Sequence, residues 1–325
     1  MKSLQELKKE IVFNNEMYEL IDILKKTAVA QFQVLSTKHK TLTVEKRFSG
    51  YLDKIFDLIN YRVVRHPVLT NPTKRVLLVI MTTDLGFLGG VNTNMIETAL
   101  SRVGRRDEVL LVVVGEKGRD YFEGAGRDCA FLPGVSDEVK FEEAVRLRDY
   151  IFAACVREKF GRVLITYPKF FSFARQETET LQMIPCDYLF RGGSKQPPSL
   201  EAKSALGGQI DESKIIEAIE EESQRRSALG GEEKVIYEPF RDKVVDYLLR
   251  AWLAHQLYNI CWHSKLSELA ARAMHLDQSL SELTEMKTTI RLQYLKSKHE
   301  ATDRNIRDIF GGRLVILRKR NNADR

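Results

Sequence analysis

The chain has no proline and few glycines at either of its ends. All eight prolines and 16 of the 19 glycines fall between positions 67 and 239. Only Gly50 precedes that region, and only Gly311 and Gly312 follow it. Because proline and glycine interrupt helices, this distribution predicts two long helical arms around a conventional globular middle.

The sequence also lacks any apolar run approaching the roughly 20 residues that cross a bilayer. Its apolar segments Val76–Met81 and Val109–Val114 are short, and its first twenty residues mix charged with apolar side chains, unlike a secretory signal. The four cysteines form no Cys-x-x-Cys pair, and the six histidines show no ligand spacing. We therefore expect a protein of the cytoplasmic side with reduced thiols and no metal site.

Charge is distributed unevenly along the chain. Residues 1–66 have a net charge of +4, residues 67–239 of −4 and residues 240–325 of +6. Basic helices that bind nucleic acid would need aromatic residues interleaved with Lys and Arg, and only Arg318-Lys319-Arg320 resembles such a site. We interpret that tripeptide as a basic tail and expect no nucleic-acid partner.

Both arms carry apolar residues at the 3,4 spacing of a coiled-coil seam, with polar interruptions. Two seams in one chain predict that the arms pair with each other as an antiparallel coiled coil, while a homodimeric coiled coil or an ordinary bundle remains possible. The N-terminal seam contains Leu4, Leu7, Ile11, Asn14, Tyr18, Ile21, Lys25, Ala28, Phe32 and Leu35, and the C-terminal seam contains Leu269, Ala273, Leu276, Leu280, Leu283, Lys287, Ile290 and Tyr294.

The middle of the chain alternates continuous apolar strands with helical segments. This order predicts a mostly parallel sheet covered by helices, an α/β domain of Rossmann-like type. The predicted strands are Val76–Thr82, Val109–Gly115 and Arg162–Tyr167, and the predicted helices are Asn92–Val103, Phe141–Lys159 and Phe173–Met183. We divide the chain into an N-terminal coiled-coil helix (1–66), the α/β domain (67–190), an insertion or linker (191–234) and a C-terminal coiled-coil helix (235–325).

The glycine-rich loop Asp84–Gly90 follows a strand and leads into a helix, where α/β proteins hold phosphate groups. It lacks the Gly-x-Gly-x-x-Gly spacing, and the chain has no Gly-x-x-x-x-Gly-Lys-Ser/Thr motif. A structural loop is therefore favoured, and a stand-alone α/β protein that binds a nucleotide here is the alternative function. We find no catalytic centre in the sequence and expect no cofactor.

Three stretches resemble the gamma subunit of F-type ATP synthases. VIMTTDLGFLGGVNTN at 79–94 is similar to the strand-and-loop signature of that family, and VIYEP at 235–239 to the lead into its long C-terminal helix. SELAAR at 267–272 and Gly311-Gly312 match two motifs of that helix. Leu88 stands where the family has a loop cysteine, and Lys298 and His299 where it has Arg-Gln, which suggests a distant or alternate-type complex.

The resemblance implies a non-catalytic rotor subunit in the central stalk of an ion-translocating ATPase. The implied partners are the hexamer of alpha and beta subunits, which carries the ATP chemistry, the epsilon subunit and the membrane c-ring. The chain would then lie peripherally at the cytoplasmic face of a membrane, the bacterial plasma membrane in our interpretation. The residues implied as candidates for subunit contacts are Asp84, Gly89, Gly90, Asn92, Glu268, Arg272, Lys298 and His299.

Overall fold

The structure is a computed structural model, and it describes residues 3–41, 48, 50–52, 54–56, 59, 66–69, 73–104, 107–190, 197–200 and 240–323. The motif at 235–239 and nearly all of the predicted insertion lie outside these residues. The chain forms two compact units. The terminal unit combines Met1–Ala28 with Ala273–Arg325, and the central unit is Val29–Arg272.

The two predicted arms are single long helices. Helix α1 covers Leu4–Thr41, and the last helix of the chain, α5, covers Arg241–Ala323. They contain 38 and 83 residues. Neither contains a proline, so the backbone hydrogen bonding of each can continue without interruption. Among the described residues, no helix is both long and apolar enough to cross a membrane.

Within the terminal unit, the predicted seam is the buried face of both helices. Leu7 and Ala28 of α1 are almost fully buried, as are Leu276 and Leu280 of α5. The ammonium group of Lys25 forms an ion pair with Asp277 of the other helix. The seam is therefore confirmed here, although its members Tyr18 and Lys287 are exposed.

The N-terminal part of the chain also contacts α5 in the central unit, at His39 of α1 and at Phe48 beyond its end. The ring of His39 lies 5.4 Å from that of Trp262, and the ring of Phe48 lies 5.4 Å from that of His255. The residue with the higher number in the N-terminal segment, Phe48, contacts the residue with the lower number on α5, His255. This order confirms the predicted antiparallel pairing.

The remaining part of the central unit is a five-stranded sheet flanked by helices. Its strands have the order β3-β2-β1-β4-β5, and the first four pair in parallel whereas β5 is antiparallel to β4. The strands are β1 (Val76–Met81), β2 (Val109–Val114), β3 (Ala130–Leu132), β4 (Arg162–Ser172) and β5 (Arg175–Ile184), and the helices are α2 (Val91–Ser101), α3 (Glu116–Gly124), α4 (Phe141–Arg157) and a 3₁₀ turn at Asp187–Phe190. The order β3-β2-β1-β4 of the parallel strands is that of the first four strands of a Rossmann sheet, which agrees with the predicted Rossmann-like domain.

Alternating side chains of the central strands enter two separate cores. Leu77 and Val79 of β1 belong to the larger core, which also contains Trp252 of α5. Leu78 of β1 packs with Met95 of α2 in the smaller core on the opposite face of the sheet. Burial on both faces explains why the central strands are continuous apolar runs in the sequence.

One sequence prediction about this domain was wrong. The predicted helix Phe173–Met183 is instead strand β5, which pairs with β4 from Val163 to Ser172. Glu177 and Glu179 alternate with Thr178 and Thr180, and a period of two is typical of strands. The segment therefore forms a strand although its apolar residues also fit a helical spacing. The short elements α3 and β3 were not predicted.

Candidate functional site

The structure places the predicted contact residues in three regions. Asp84, Gly89, Gly90 and Asn92 lie in the loop after β1 and at the start of α2. Glu268 and Arg272 lie on the part of α5 that belongs to the central unit. Lys298 and His299 lie further along α5, in the terminal unit, with exposed side chains.

The loop after β1 is held by hydrogen bonds of its own polar residues. The carboxylate of Asp84 accepts a bond of 3.0 Å from the backbone N–H of Glu116, at the N-terminus of α3, where the helix dipole favours negative charge. The hydroxyl of Thr83 donates to the carbonyl of Leu85 at 2.8 Å and accepts from the amide of Asn92 at 3.0 Å. Asp84 and Asn92 therefore fix the shape of the loop.

Two large apolar side chains point out of this loop. Leu85 is 60% exposed and Phe87 is 59% exposed. Leu88, which follows Phe87, is buried. Phe87 has a φ of 63°, a left-handed conformation that is uncommon for an aromatic residue, and Gly89 follows with a φ of 61°. Leu85 and Phe87 were not predicted as surface residues, although large apolar side chains on either side of Gly86 in a glycine-rich loop indicate such exposure.

A group of polar residues on α5 faces the loops of the α/β domain. The ammonium group of Lys265 lies 2.9 Å from a carboxylate oxygen of Asp137 and 3.2 Å from one of Glu268. A guanidinium N–H of Arg272 donates to Glu268 at 2.6 Å. With Ser267, whose hydroxyl donates to the carbonyl of Pro168 at 2.9 Å, these residues form what we call the α5 polar cluster.

The α5 polar cluster is buried and balanced in charge. The side chains of Lys265, Glu268 and Arg272 are at most 10% exposed, whereas that of Asp137 is 65% exposed. Two cations face two carboxylates, so no buried charge lacks an opposite charge. Arg272 also donates to the carbonyl of Gly86 at 3.4 Å, which brings the predicted loop and the predicted helix motif together.

In the terminal unit, α5 has an apolar stripe on its surface besides the buried seam. Leu292, Leu295, Ile306 and Ile309 are between 42% and 69% exposed and follow the 3,4 spacing of a second seam. His299 and Thr302 fill the two middle positions of that spacing. We call these six residues the α5 stripe, and Lys298 adjoins it.

The alternative nucleotide site at Asp84–Gly90 does not coincide with the cavity at the end of the sheet, because no residue of that loop lines it. The carboxyl ends of β1, β2 and β3, where open α/β sheets bind ligands, border a cavity of about 60 Å³ lined mostly by apolar side chains. Ligand pockets usually measure several hundred Å³. In addition, the carboxylate of Asp84 already occupies the N-terminus of α3 and would repel a phosphate. Among the described residues, no group of three or more His, Cys, Asp or Glu side chains could hold a metal ion.

Comparison with known proteins gives consistent matches along the chain. A family model described as ATP synthase matches residues 3–314. The "ATP synthase gamma chain" of Desulforudis audaxviator is 25% identical over 97% of this chain and 100% of its own length. That of Heliobacterium modesticaldum is 24% identical, with the same coverage of both chains.

Solved structures show the same fold. A chain of the Euglena gracilis mitochondrial ATP synthase, determined as its OSCP/F1/c-ring part in rotational state 3, superposes with a TM-score of 0.64 at 17% identity, covering 96% of this chain and 94% of that chain. A chain of the central stalk and c-ring of the Tetrahymena thermophila mitochondrial ATP synthase gives a TM-score of 0.54 at 16% identity, covering 80% of this chain and 99% of that chain.

Proposed function

Since the chain belongs to the ATP synthase family, we propose that it is the gamma subunit, the central-stalk rotor that couples ion flow through the membrane ring to ATP synthesis or hydrolysis. This conclusion agrees with the resemblance found in the sequence, and we prefer it to the stand-alone nucleotide-binding protein. The chain would contribute no catalytic residue of its own, because the ATP chemistry takes place in the alpha and beta subunits.

The observation that carries the proposal is the α5 stripe. The seam of the terminal unit already uses the inner faces of α1 and α5, yet the stripe leaves a second row of apolar side chains in contact with water. On α1, Phe13, Leu20 and Ile23 are also more than half exposed. A protein partner that encloses these helices would bury both rows.

The charges of the chain support the same partners. The N-terminal and C-terminal segments carry +4 and +6, so acidic surfaces on the enclosing alpha and beta subunits would attract them. The epsilon subunit and the c-ring are the remaining partners under this proposal. With these partners, the chain would lie peripherally at the cytoplasmic face of the bacterial plasma membrane.

The eight contact candidates divide into two groups under this proposal. Gly89, Gly90, Lys298 and His299 remain candidates for direct contact with neighbouring subunits, because their side chains or backbones lie at the surface. Asp84, Asn92, Glu268 and Arg272 form hydrogen bonds inside the chain, so we infer that they shape the contact surface rather than provide it.

The proposal is tested by expressing the chain with the alpha and beta subunits of the same source and purifying through a tag on this chain. We expect a stoichiometric complex with ATPase activity. Replacing Leu292, Leu295, Ile306 and Ile309 together by Gln should weaken the complex, whereas Met286→Gln, an exposed apolar residue outside the stripe, should not. A chain that purifies alone, soluble and stabilised by a nucleotide, would favour the alternative function.

A further inference from the structure

Helix α5 contacts three separate segments of the α/β domain through one ion pair and two hydrogen bonds. Lys265 pairs with Asp137 in the loop after β3 at 2.9 Å. Ser267 donates to Pro168 in β4 at 2.9 Å. Arg272 donates to Gly86 in the loop after β1 at 3.4 Å. All three bonds originate within two turns of the helix, and all lie in the central unit.

Much of the remaining contact between α5 and the domain is apolar, although Asp246 also lies 3.1 Å from the ring of His66 and the guanidinium group of Arg250 lies 4.3 Å from the centre of the Phe152 ring. Trp252, Leu257 and Ile260 belong to the larger core and pack there without hydrogen-bonding directions. An atom about 5 Å from the helix axis moves about 1 Å when the helix rotates by about 10° about that axis. Apolar packing can follow such a movement by small rotamer changes, but a hydrogen bond lengthened by that much is lost.

We propose that the α5 polar cluster is a rotational lock that carries torque between helix α5 and the α/β domain, with Lys265 and Asp137 as its positioning residues. The proposal rests on the rotor function argued above. Lys265 connects the two halves of the lock, because it binds Asp137 across the interface and Glu268 on its own helix. Glu268 in turn orients the guanidinium group of Arg272 towards Gly86.

Substitutions can weaken the lock while every buried charge keeps an oppositely charged partner. In Lys265→Met, Glu268 keeps its bond of 2.6 Å to Arg272, and the carboxylate of Asp137, which is 65% exposed, returns to water. Asp137→Asn removes the exposed partner only and leaves α5 unchanged. In Ser267→Ala, the carbonyl of Pro168 loses its donor. The chain with these substitutions is therefore expected to fold.

The experiment uses the complete complex with its membrane ring in vesicles. We expect Lys265→Met, and more strongly Lys265→Met with Ser267→Ala, to hydrolyse ATP as the unchanged protein does but to transport fewer ions per ATP. A probe attached to the α/β domain, with the hexamer immobilised, should show a wider distribution of angles. Lys265→Arg should restore both values. Lys140→Met, which removes an exposed lysine from the loop after β3, is the matched control and should behave as the unchanged protein.

The result that would contradict the rotational lock differs from the result that would contradict the rotor function. Normal ion transport per ATP and a normal angular distribution in the double variant would overturn the lock while leaving the rotor function in place. If Lys265→Met fails to fold, Asp137→Asn decides, and normal coupling in that variant would also overturn the lock. If the unchanged chain forms no ATPase complex with the alpha and beta subunits, the rotor function itself is wrong.

Discussion

At the scale of single residues, two glycines of helix α3 have different surroundings. A Cβ atom on Gly118 would lie 2.3 Å from a methyl group of Val113 and 2.5 Å from the hydroxyl of Thr82, whereas one on Gly124 would meet nothing within 4 Å. We expect Gly118→Ala to lower the free energy of unfolding by about 1–3 kcal/mol through overpacking. Gly124→Ala should be neutral or stabilising. Urea unfolding of both variants measures the difference, and equal effects would contradict the packing argument.

His263 of α5 should make stability depend on pH. Burial lowers the pKa of His263 below 6.5, and the positive charges of His39 and Lys169 lower it further, with Glu179 acting in the opposite direction. The unfolded chain therefore binds more protons than the folded chain as the pH falls below about 6.5. The free energy of unfolding should decrease through this range and level off below the pKa of the folded state.

The measurement is urea unfolding at a series of values between about pH 5 and pH 8. His263→Phe keeps an aromatic ring beside Tyr167, whose ring lies 6.3 Å from that of His263, and should flatten the dependence. His299→Gln replaces an exposed histidine of the same helix and should leave the dependence in place. An unchanged slope in His263→Phe would assign the pH dependence to other groups.

At the scale of elements, strands β4 and β5 are joined by a buried pair of hydroxyl groups. Thr166 and Thr180 lie directly opposite each other, with 2.9 Å between their Oγ1 atoms. Thr180→Val alone leaves the hydroxyl of Thr166 buried without this partner, which should cost about 1–3 kcal/mol of unfolding free energy. The double variant with valine at both positions should recover most of that loss. Additive losses in chemical unfolding would show that the pair does not act as a unit.

The seam between α1 and α5 contains a polar residue that we expect to weaken it. The side chain of Asn14 is 3% exposed, and its carbonyl oxygen has no hydrogen-bond partner among the described residues. Asn14→Leu should therefore raise the free energy of unfolding by about 1–3 kcal/mol. Asn305→Leu, at an exposed position of α5, should give no gain. Thermal and urea unfolding compare the two variants, and a loss in Asn14→Leu would show that Asn14 has a favourable role.

The elements differ in how far their sequences predict them. Strands β1 and β2 were predicted to within one residue, because burial on both faces makes each a continuous apolar run. Strand β5 was mistaken for a helix, because the helical spacing was preferred to the short alternation at 177–180, and the cross-strand pairs that stabilise the strand, such as Tyr167 with Glu179, are visible only in the structure. The motifs at 79–94 and 267–272 were each recognised in the sequence, but their contact with each other was not predicted. The bond from Arg272 to Gly86 joins positions 186 residues apart and required the structure.

At the scale of the whole molecule, charge and apolar surface should contribute to different steps of assembly. The basic residues of the N-terminal and C-terminal segments act over a distance, so they should set the rate of encounter with acidic partner surfaces. The α5 stripe acts only on contact, because its side chains must lose their water before they contribute. It should therefore set the rate at which the complex dissociates.

Two variants of the full chain separate these steps. Lys8→Gln with Lys9→Gln removes two exposed charges from α1 and should slow association with the alpha and beta subunits, while the rate becomes less sensitive to salt. Leu292→Gln with Leu295→Gln removes part of the α5 stripe and should accelerate dissociation, with little change in association. Binding kinetics at low and high salt measure both rates. If the charge variant mainly changed dissociation, or the stripe variant mainly changed association, then the basic segments and the α5 stripe would not have the separate roles assigned to them.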